Sequence, residues 1–303
     1  MQARAVSGVW GAAIMPFNRD MTVDFGALRA HVEWMLANGC DGVALLGTMG
    51  EASAIGINER LALIEDMGGH WAPEKVMVGV GATAIPDTIA MIRAAQNQEM
   101  PNVLMLPPYP YQSVSEEGLY QVWVEVLRRI GREPLQIHVY DYPALTGFSI
   151  PASVLTRLHS SFPEQVVGVK DSTGDIARMK DVMQAAPGFR VFAESEDLLL
   201  DILKAGGAGC ISATANVTAP AAAKVWQAWQ SGDLAGAQQA QARLSELRRA
   251  LQRWDMVPGM KALLNRAFPD RIGPTIRPPL MPLDSADRDE LFETMDTLGL
   301  DLG

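Results

Sequence analysis

Cysteine is scarce in this chain of 303 residues, where only Cys40 and Cys210 occur. That scarcity excludes a disulfide framework and makes a reducing compartment the simpler expectation, with both thiols packed beside apolar, strand-like runs. Histidine is nearly as sparse. The four histidines, His31, His70, His138 and His159, include no i, i+4 pair, so the helical zinc-ligand pattern is missing. His138 alternates with core positions and is expected to be a satisfied buried histidine. No apolar run approaches the ~20 residues a helix needs to cross a bilayer. Met1 to Asp20 carry only Arg4 ahead of a short apolar run broken by glycines and a proline, a poor secretory signal. Positive charge is in deficit, with 25 Lys and Arg against 35 Asp and Glu and a net charge of -10. Such a surface repels nucleic acid and anionic membranes, so neither is an expected partner. The expectation is a cytoplasmic protein whose substrate, if anionic, is held by local donors.

What is present is an ordinary globular composition, 48% hydrophobic and 20% charged. Apolar runs of strand length alternate with amphipathic, helix-like segments. Strands are expected at Gly8–Met15, Gly42–Leu46, Val76–Val80, Val103–Leu106, Leu135–Tyr140, Val166–Lys170, Arg190–Ala193 and Gly209–Ser212. Helices are expected between them, from Asp24–Asn38 through Glu59–Met67, Asp87–Gln98, Glu116–Ile130, Pro151–His159, Asp175–Ala185 and Asp197–Ala205 to Ala219–Gln230. Eight strand–helix alternations fit a (β/α)8 TIM barrel over residues 1–232 better than a doubly wound sheet. Residues 233–303, beginning with a helical segment Leu234–Trp254, read as a C-terminal helical extension packed on that barrel.

The barrel assignment directs attention to strand carboxyl ends, where the active sites of such folds lie. The sixth strand, Val166-Val167-Gly168-Val169-Lys170, delivers one lysine there before Asp171-Ser172-Thr173-Gly174 turns into a helix. A partly desolvated amine can lose its proton and attack a ketone to form an imine, whereas a strand-end lysine reaching solvent is the commoner arrangement. Partners at the same rim shift the balance. After the second strand comes Gly47-Thr48-Met49-Gly50-Glu51, a glycine turn whose N–H groups can form a carboxylate-binding nest. After the fifth comes Tyr140-Asp141-Tyr142-Pro143, which supplies phenolic acid/base groups.

These stretches, together with Pro107-Pro108-Tyr109-Pro110-Tyr111, Ala144-Leu145-Thr146-Gly147 and Gly209-Cys210-Ile211-Ser212, resemble the Schiff-base aldolase family that includes N-acetylneuraminate lyase and dihydrodipicolinate synthase. The resemblance runs from about Gly8 to Arg266. It implies that Lys170 forms the imine with pyruvate or another 2-keto acid, that Tyr140 shuttles protons, and that Thr48 carries the relay and helps hold the substrate carboxylate. Tyr111 matches a tyrosine that enters the relay from a neighbouring subunit, implying a homo-oligomer, a tetramer or dimer. Gly47 and Met49 line the carboxylate turn, and the backbone carbonyl of Ile211 faces the keto acid. No cofactor or metal is implied, because the lysine imine is itself the electron sink.

Departures from the family pattern bear on substrate choice. Met49 stands where many members have a second hydroxyl, and Leu145 where synthases carry an arginine that grips a second carboxylate. Glu194 replaces a usual glycine and is expected to exclude the full sialic-acid substrate. Glu196 and Asp197 match residues that bind sugar hydroxyls, with a solvated helix start as the alternative. The expected activity is therefore a lyase acting on a 2-keto acid by aldol cleavage or dehydration of a 2-keto-3-deoxy sugar acid. A synthase condensing pyruvate with an aldehyde, and a non-catalytic keto-acid binder on the same scaffold, are the alternatives. Gly79-Val80-Gly81-Ala82-Thr83-Ala84 imitates a dinucleotide fingerprint, but Pro86-Asp87 is expected to delay the following helix, which argues against a nucleotide site.

Overall fold

The computed structural model describes residues 6–111, 113–131 and 134–302, so Arg4 lies outside the described residues. Among those residues, eight parallel strands close into a barrel in chain order. They are β1 (Gly8–Ala12), β2 (Gly42–Leu45), β3 (Val76–Gly79), β4 (Asn102–Met105), β5 (Gln136–Asp141), β6 (Val166–Asp171), β7 (Arg190–Ala193) and β8 (Gly209–Ser212). The intervening helices are α1 (Phe25–Ala37), α2 (Ile57–Met67), α3 (Ile85–Asn97), α4 (Glu116–Ile130), the one-turn α5 (Pro143–Thr146), α6 (Ala152–Ser161), α7 (Ile176–Ala185), α8 (Leu199–Lys204) and α9 (Ala215–Gln230). Three more, α10 (Leu234–Leu251), α11 (Met256–Ala267) and α12 (Ser285–Thr297), follow the last strand–helix unit. The architecture is the (β/α)8 barrel with C-terminal helices that the alternation of runs implies.

Each strand is buried on both faces, so it needs apolar residues at successive positions rather than at alternate ones. The side-chain period of two then divides them into two cores. Trp10, Ala44, Met77, Leu104, Tyr140, Phe192 and Ile211 point into the barrel, whereas Val9, Val43, Val78, Val103, Val139, Val169 and Val191 pack beneath the helices. Register decides what meets inside. Tyr140 pairs with Lys170 across β5–β6, and Lys170 with Phe192 across β6–β7, so amine and phenol come from neighbouring strands at one level. Helix starts follow local chemistry: the side chains of Asp24, Ser115, Asp175, Asp233 and Asp284 each accept an N–H from three residues on. Each such cap contributes ~1 kcal/mol.

Some boundaries differ from the sequence expectation. α3 begins at Ile85 with Pro86 in its first turn, so Pro86-Asp87 does not delay it. First-turn N–H groups have no intrahelical partner, and proline loses nothing there. The glycines of the imitation fingerprint serve packing instead: a Cβ on Gly79 would lie 2.3 Å from the Leu46 carbonyl oxygen, and one on Gly81 2.6 Å from the Leu106 nitrogen. α9 starts at Ala215, ahead of Pro220, because Asn216 anchors its first turn. The Asn216 amide donates to the Ala12 and Ala213 carbonyls at 2.7 and 2.6 Å, and its Oδ1 accepts from the Ile14 N–H at 3.0 Å.

His31 and His138 are both buried, and desolvation pushes their pKa values down to about 4 and about 3. The hydrogen bond that His31 Nε2 donates to the Asn216 Oδ1 at 2.8 Å opposes the shift at His31, whereas the Arg190 charge adds to it at His138. Against the expectation of a satisfied core histidine, neither ring nitrogen of His138 has a well-formed hydrogen bond. Both rings are neutral when folded and titrate near 6.5 when unfolded, so between pH 6.5 and the folded values the unfolded chain binds more protons. Their stabilising contribution is complete above pH 6.5 and is lost as pH falls, by on the order of 2 kcal/mol per histidine between pH 6.5 and 5. Urea unfolding at the two pH values should show this loss, and His138→Asn should remove about half of it.

Candidate active site

β6 places Lys170 at its penultimate position, 5% exposed within a barrel wall of valines. The amine lies 3.3 Å from the Tyr140 hydroxyl, to which it donates, and 4.4 Å from the centre of that ring. Tyr140 is itself buried, and Tyr142 stacks parallel to it at 5.7 Å. Burial raises the Tyr142 pKa, with Tyr140 and Glu194 adding to the effect. The Thr48 hydroxyl stands 3.3 Å from the Tyr140 oxygen on its other side. Lys170, Tyr140 and Thr48 thus form an unbroken polar string at the carboxyl ends of three strands.

Thr48 is brought there by a turn of unusual backbone. Leu46 at φ 54° and Glu51 at φ 49° bracket Gly47–Gly50 in the left-handed region, which side-chain-bearing residues rarely adopt. The Glu51 N–H closes the turn on the Thr48 carbonyl at 3.0 Å, and no atom lies within 4 Å of where a Gly47 Cβ would stand. Strain of this kind persists only where the surroundings enforce it, and it gathers at functional sites.

The level of the amine and phenol is fixed by a charge cluster that sequence reasoning missed. Asp141 and Asp171, paired across β5–β6 immediately beyond Tyr140 and Lys170, are both fully buried. Arg178 from α7 bridges them, with its Nη2 2.6 Å from Asp141 and its Nη1 on Asp171. Asp141 also accepts from the Ser149 hydroxyl at 2.9 Å and the Ile150 N–H at 3.1 Å, and Asp171 from the Thr173 N–H at 2.9 Å. Desolvation raises the Asp141 pKa, and the Arg178 charge opposes it. The available signal was two aspartates, each directly after a residue expected to be catalytic.

Other expected site residues fall in different places. Ile211 is fully buried in β8, Met49 is buried, and half-buried Leu145 in α5 packs on the barrel-interior cluster with them. Glu194 follows β7 with its side chain 31% exposed, and Arg248 of α10 approaches it at 3.8 Å. Asp197 is held by Arg249 at 3.3 Å. Glu196 requires a correction, for its helix start is not solvated. It is fully buried, accepts from the Thr218 hydroxyl of α9 at 2.6 Å, and adds to the desolvation that raises the pKa values of Cys40 and Cys210 on the outer side of the barrel. Tyr111 is 57% exposed and joins no part of the Lys170–Tyr140–Thr48 string.

An amine able to form an imine, beside a phenol able to move the proton, is the equipment of a class I aldolase-type lyase. Comparison with known proteins narrows the class. The model of the Dihydrodipicolinate synthetase family matches residues 5–298, and the chain belongs to that family. It is 30% identical over 282 residues to an uncharacterized DapA-like lyase of Chloroflexus aurantiacus, covering 92% of this chain and 93% of that one. It is 32% identical over 286 residues to the 4-hydroxy-tetrahydrodipicolinate synthase of Azoarcus sp., covering 88% and 96%. Among solved structures it is similar to YagE, a prophage protein of the same family from E. coli K12 in complex with pyruvate, with TM-score 0.89, 26% identity and coverage of 97% and 99%. The protein is accordingly a lyase of the lysine Schiff-base type.

Proposed function

We propose that Lys170 is the Schiff-base nucleophile toward pyruvate or a 2-keto-3-deoxy sugar acid, cleaved by a retro-aldol step or dehydrated. The observation that carries this is the string Lys170–Tyr140–Thr48, with both contacts at 3.3 Å. The lysine amine attacks the keto carbon, Tyr140 passes protons as the carbinolamine loses its hydroxyl as water to give the imine, and Thr48 with the Gly47–Gly50 turn receives the substrate carboxylate. The imine withdraws electrons from the neighbouring carbon, so a carbanion there is held as an enamine. From the common imine, either the carbon–carbon bond beyond that neighbouring carbon is cut, releasing an aldehyde and leaving the pyruvate enamine to be reprotonated, or a proton is removed to give the enamine, which then expels a hydroxyl as water. Met49 gives the turn an apolar side, Ile211 contributes its carbonyl, and Glu194 restricts the tail of the substrate beside Tyr142.

Condensation of pyruvate with an aldehyde is the second reading, favoured by the name of the Azoarcus relative. Leu145 counts against it, since an aliphatic side chain cannot make the bidentate contact to a second carboxylate. Tyr111, exposed near the rim, suits a homo-oligomer, a tetramer or dimer, in which a neighbour's tyrosine completes the relay. Two buried free thiols suit a cytoplasmic location, and among the described residues no helix is long and apolar enough to cross a membrane.

Exchange in deuterium oxide tests the reading. Pyruvate incubated with the enzyme should lose its methyl proton signal through the enamine, and a panel of 2-keto-3-deoxy sugar acids should release pyruvate or water. Absence of both exchange and turnover overturns it. Tyr140→Phe should slow exchange by about 10²–10⁴-fold, the usual contribution of a positioned acid/base.

A further inference from the structure

Beneath the turn that carries Thr48 lies a buried ionic cluster that the catalytic steps leave unused. The Glu51 side chain is 1% exposed and receives the Lys261 ammonium, from a side chain that is also 1% exposed. Its second oxygen accepts the backbone N–H of Arg277 at 3.2 Å. Lys261 also donates to the Thr275 carbonyl at 2.9 Å and lies 4.4 Å from the centre of the Phe17 ring. Arg277 closes the cluster from outside. Its guanidinium sits 4.6 Å from the Phe17 ring centre, forks onto Glu59 at 2.6 and 2.9 Å, and donates to the Ala54 and Met21 carbonyls.

We propose that Lys261 and Arg277 are positioning residues for the reaction, holding the carboxylate-receiving turn in its strained shape through Glu51. The proposal rests on Lys170 being the Schiff-base nucleophile. Glu51 belongs to the turn itself and adopts φ 49°, so without a fixed partner its backbone would relax toward the ordinary region and take the Thr48 segment with it. Its partners come from α11 and the segment after it, 210 residues further along in the case of Lys261, so the C-terminal helices are tied to the turn by this contact. A buried carboxylate bonded on both oxygens has one orientation, and the peptide groups beside it share that fixity. Lys261 and Arg277 therefore govern how well the turn meets the substrate carboxylate, whereas Lys170 and Tyr140 govern imine formation and proton transfer once the substrate is bound.

A charge-neutral pair of substitutions separates this role from simple support of the fold. Glu51→Gln with Lys261→Met keeps both shapes and leaves no buried charge unpaired. The readout is the rate of borohydride trapping of the native enzyme and the variant against pyruvate concentration. Half-saturation should rise about 10-fold or more in the double variant, while the limiting trapping rate changes by less than about 3-fold, since only ground-state binding is lost. An unchanged half-saturation in a folded double variant overturns the proposal. Should that variant fail to fold, Arg277→Gln decides, with a rise of about 3-fold supporting the proposal and native half-saturation overturning it. Failure of the native enzyme to trap pyruvate would instead indict the Schiff-base assignment on which the proposal stands.

Discussion

Lys170→Ala should lower kcat/KM by at least about 10³-fold, the loss typical of removing a group on which the chemical step depends. The variant should fold normally. Lys170 donates to Tyr140 at 3.3 Å, and its removal leaves a phenol that still has Thr48 as partner. Circular dichroism and unfolding midpoints close to native, with activity gone, would assign the loss to chemistry. The same variant distinguishes an enzyme from a keto-acid binder on this scaffold, because a binder keeps much of its affinity when the amine is lost.

Arg178→Met should be the most damaging single change to stability near the site, costing about 3–5 kcal/mol because two buried carboxylates lose their shared cation. Asp141 and Asp171 are fully buried and Arg178 is only 17% exposed, so solvent offers little compensation. The triple variant with Asp141→Asn and Asp171→Asn should recover much of that loss, since no buried charge is left unpaired. Urea unfolding of the single and triple variants measures both quantities. A single variant as stable as the native protein would show that the cluster does not hold β5 against β6.

The residues proposed to do the chemistry were legible in sequence because their positions obey one fold-level rule. A valine-rich strand ending in Lys170, a glycine turn carrying Thr48 and a strand ending in Tyr140 all fall at carboxyl ends of strands, and the barrel brings those ends together. The strand pairing of Tyr140 with Lys170 is then a consequence of adjacent strands at one level. The residues that hold them were not legible. Arg178 reaches Asp141 across 37 positions and Lys261 reaches Glu51 across 210, and no local period links such pairs. Glu196 shows the opposite failure: a carboxylate beside a helix start suggests solvent, yet the packing of α9 turns it inward to Thr218. The start of α3 is misplaced when Pro86 is weighed only as a breaker, because the first helical turn accommodates it.

In the proposed mechanism Lys170 itself carries the substrate as an imine. Borohydride reduction in the presence of pyruvate, with intact-mass measurement and peptide mapping, tests this directly on the native protein and on Lys170→Ala. A single reduced adduct on the peptide containing Lys170, absent from the variant, is the expected result. No adduct on a correctly folded native protein, or an adduct that persists in Lys170→Ala, would contradict the mechanism.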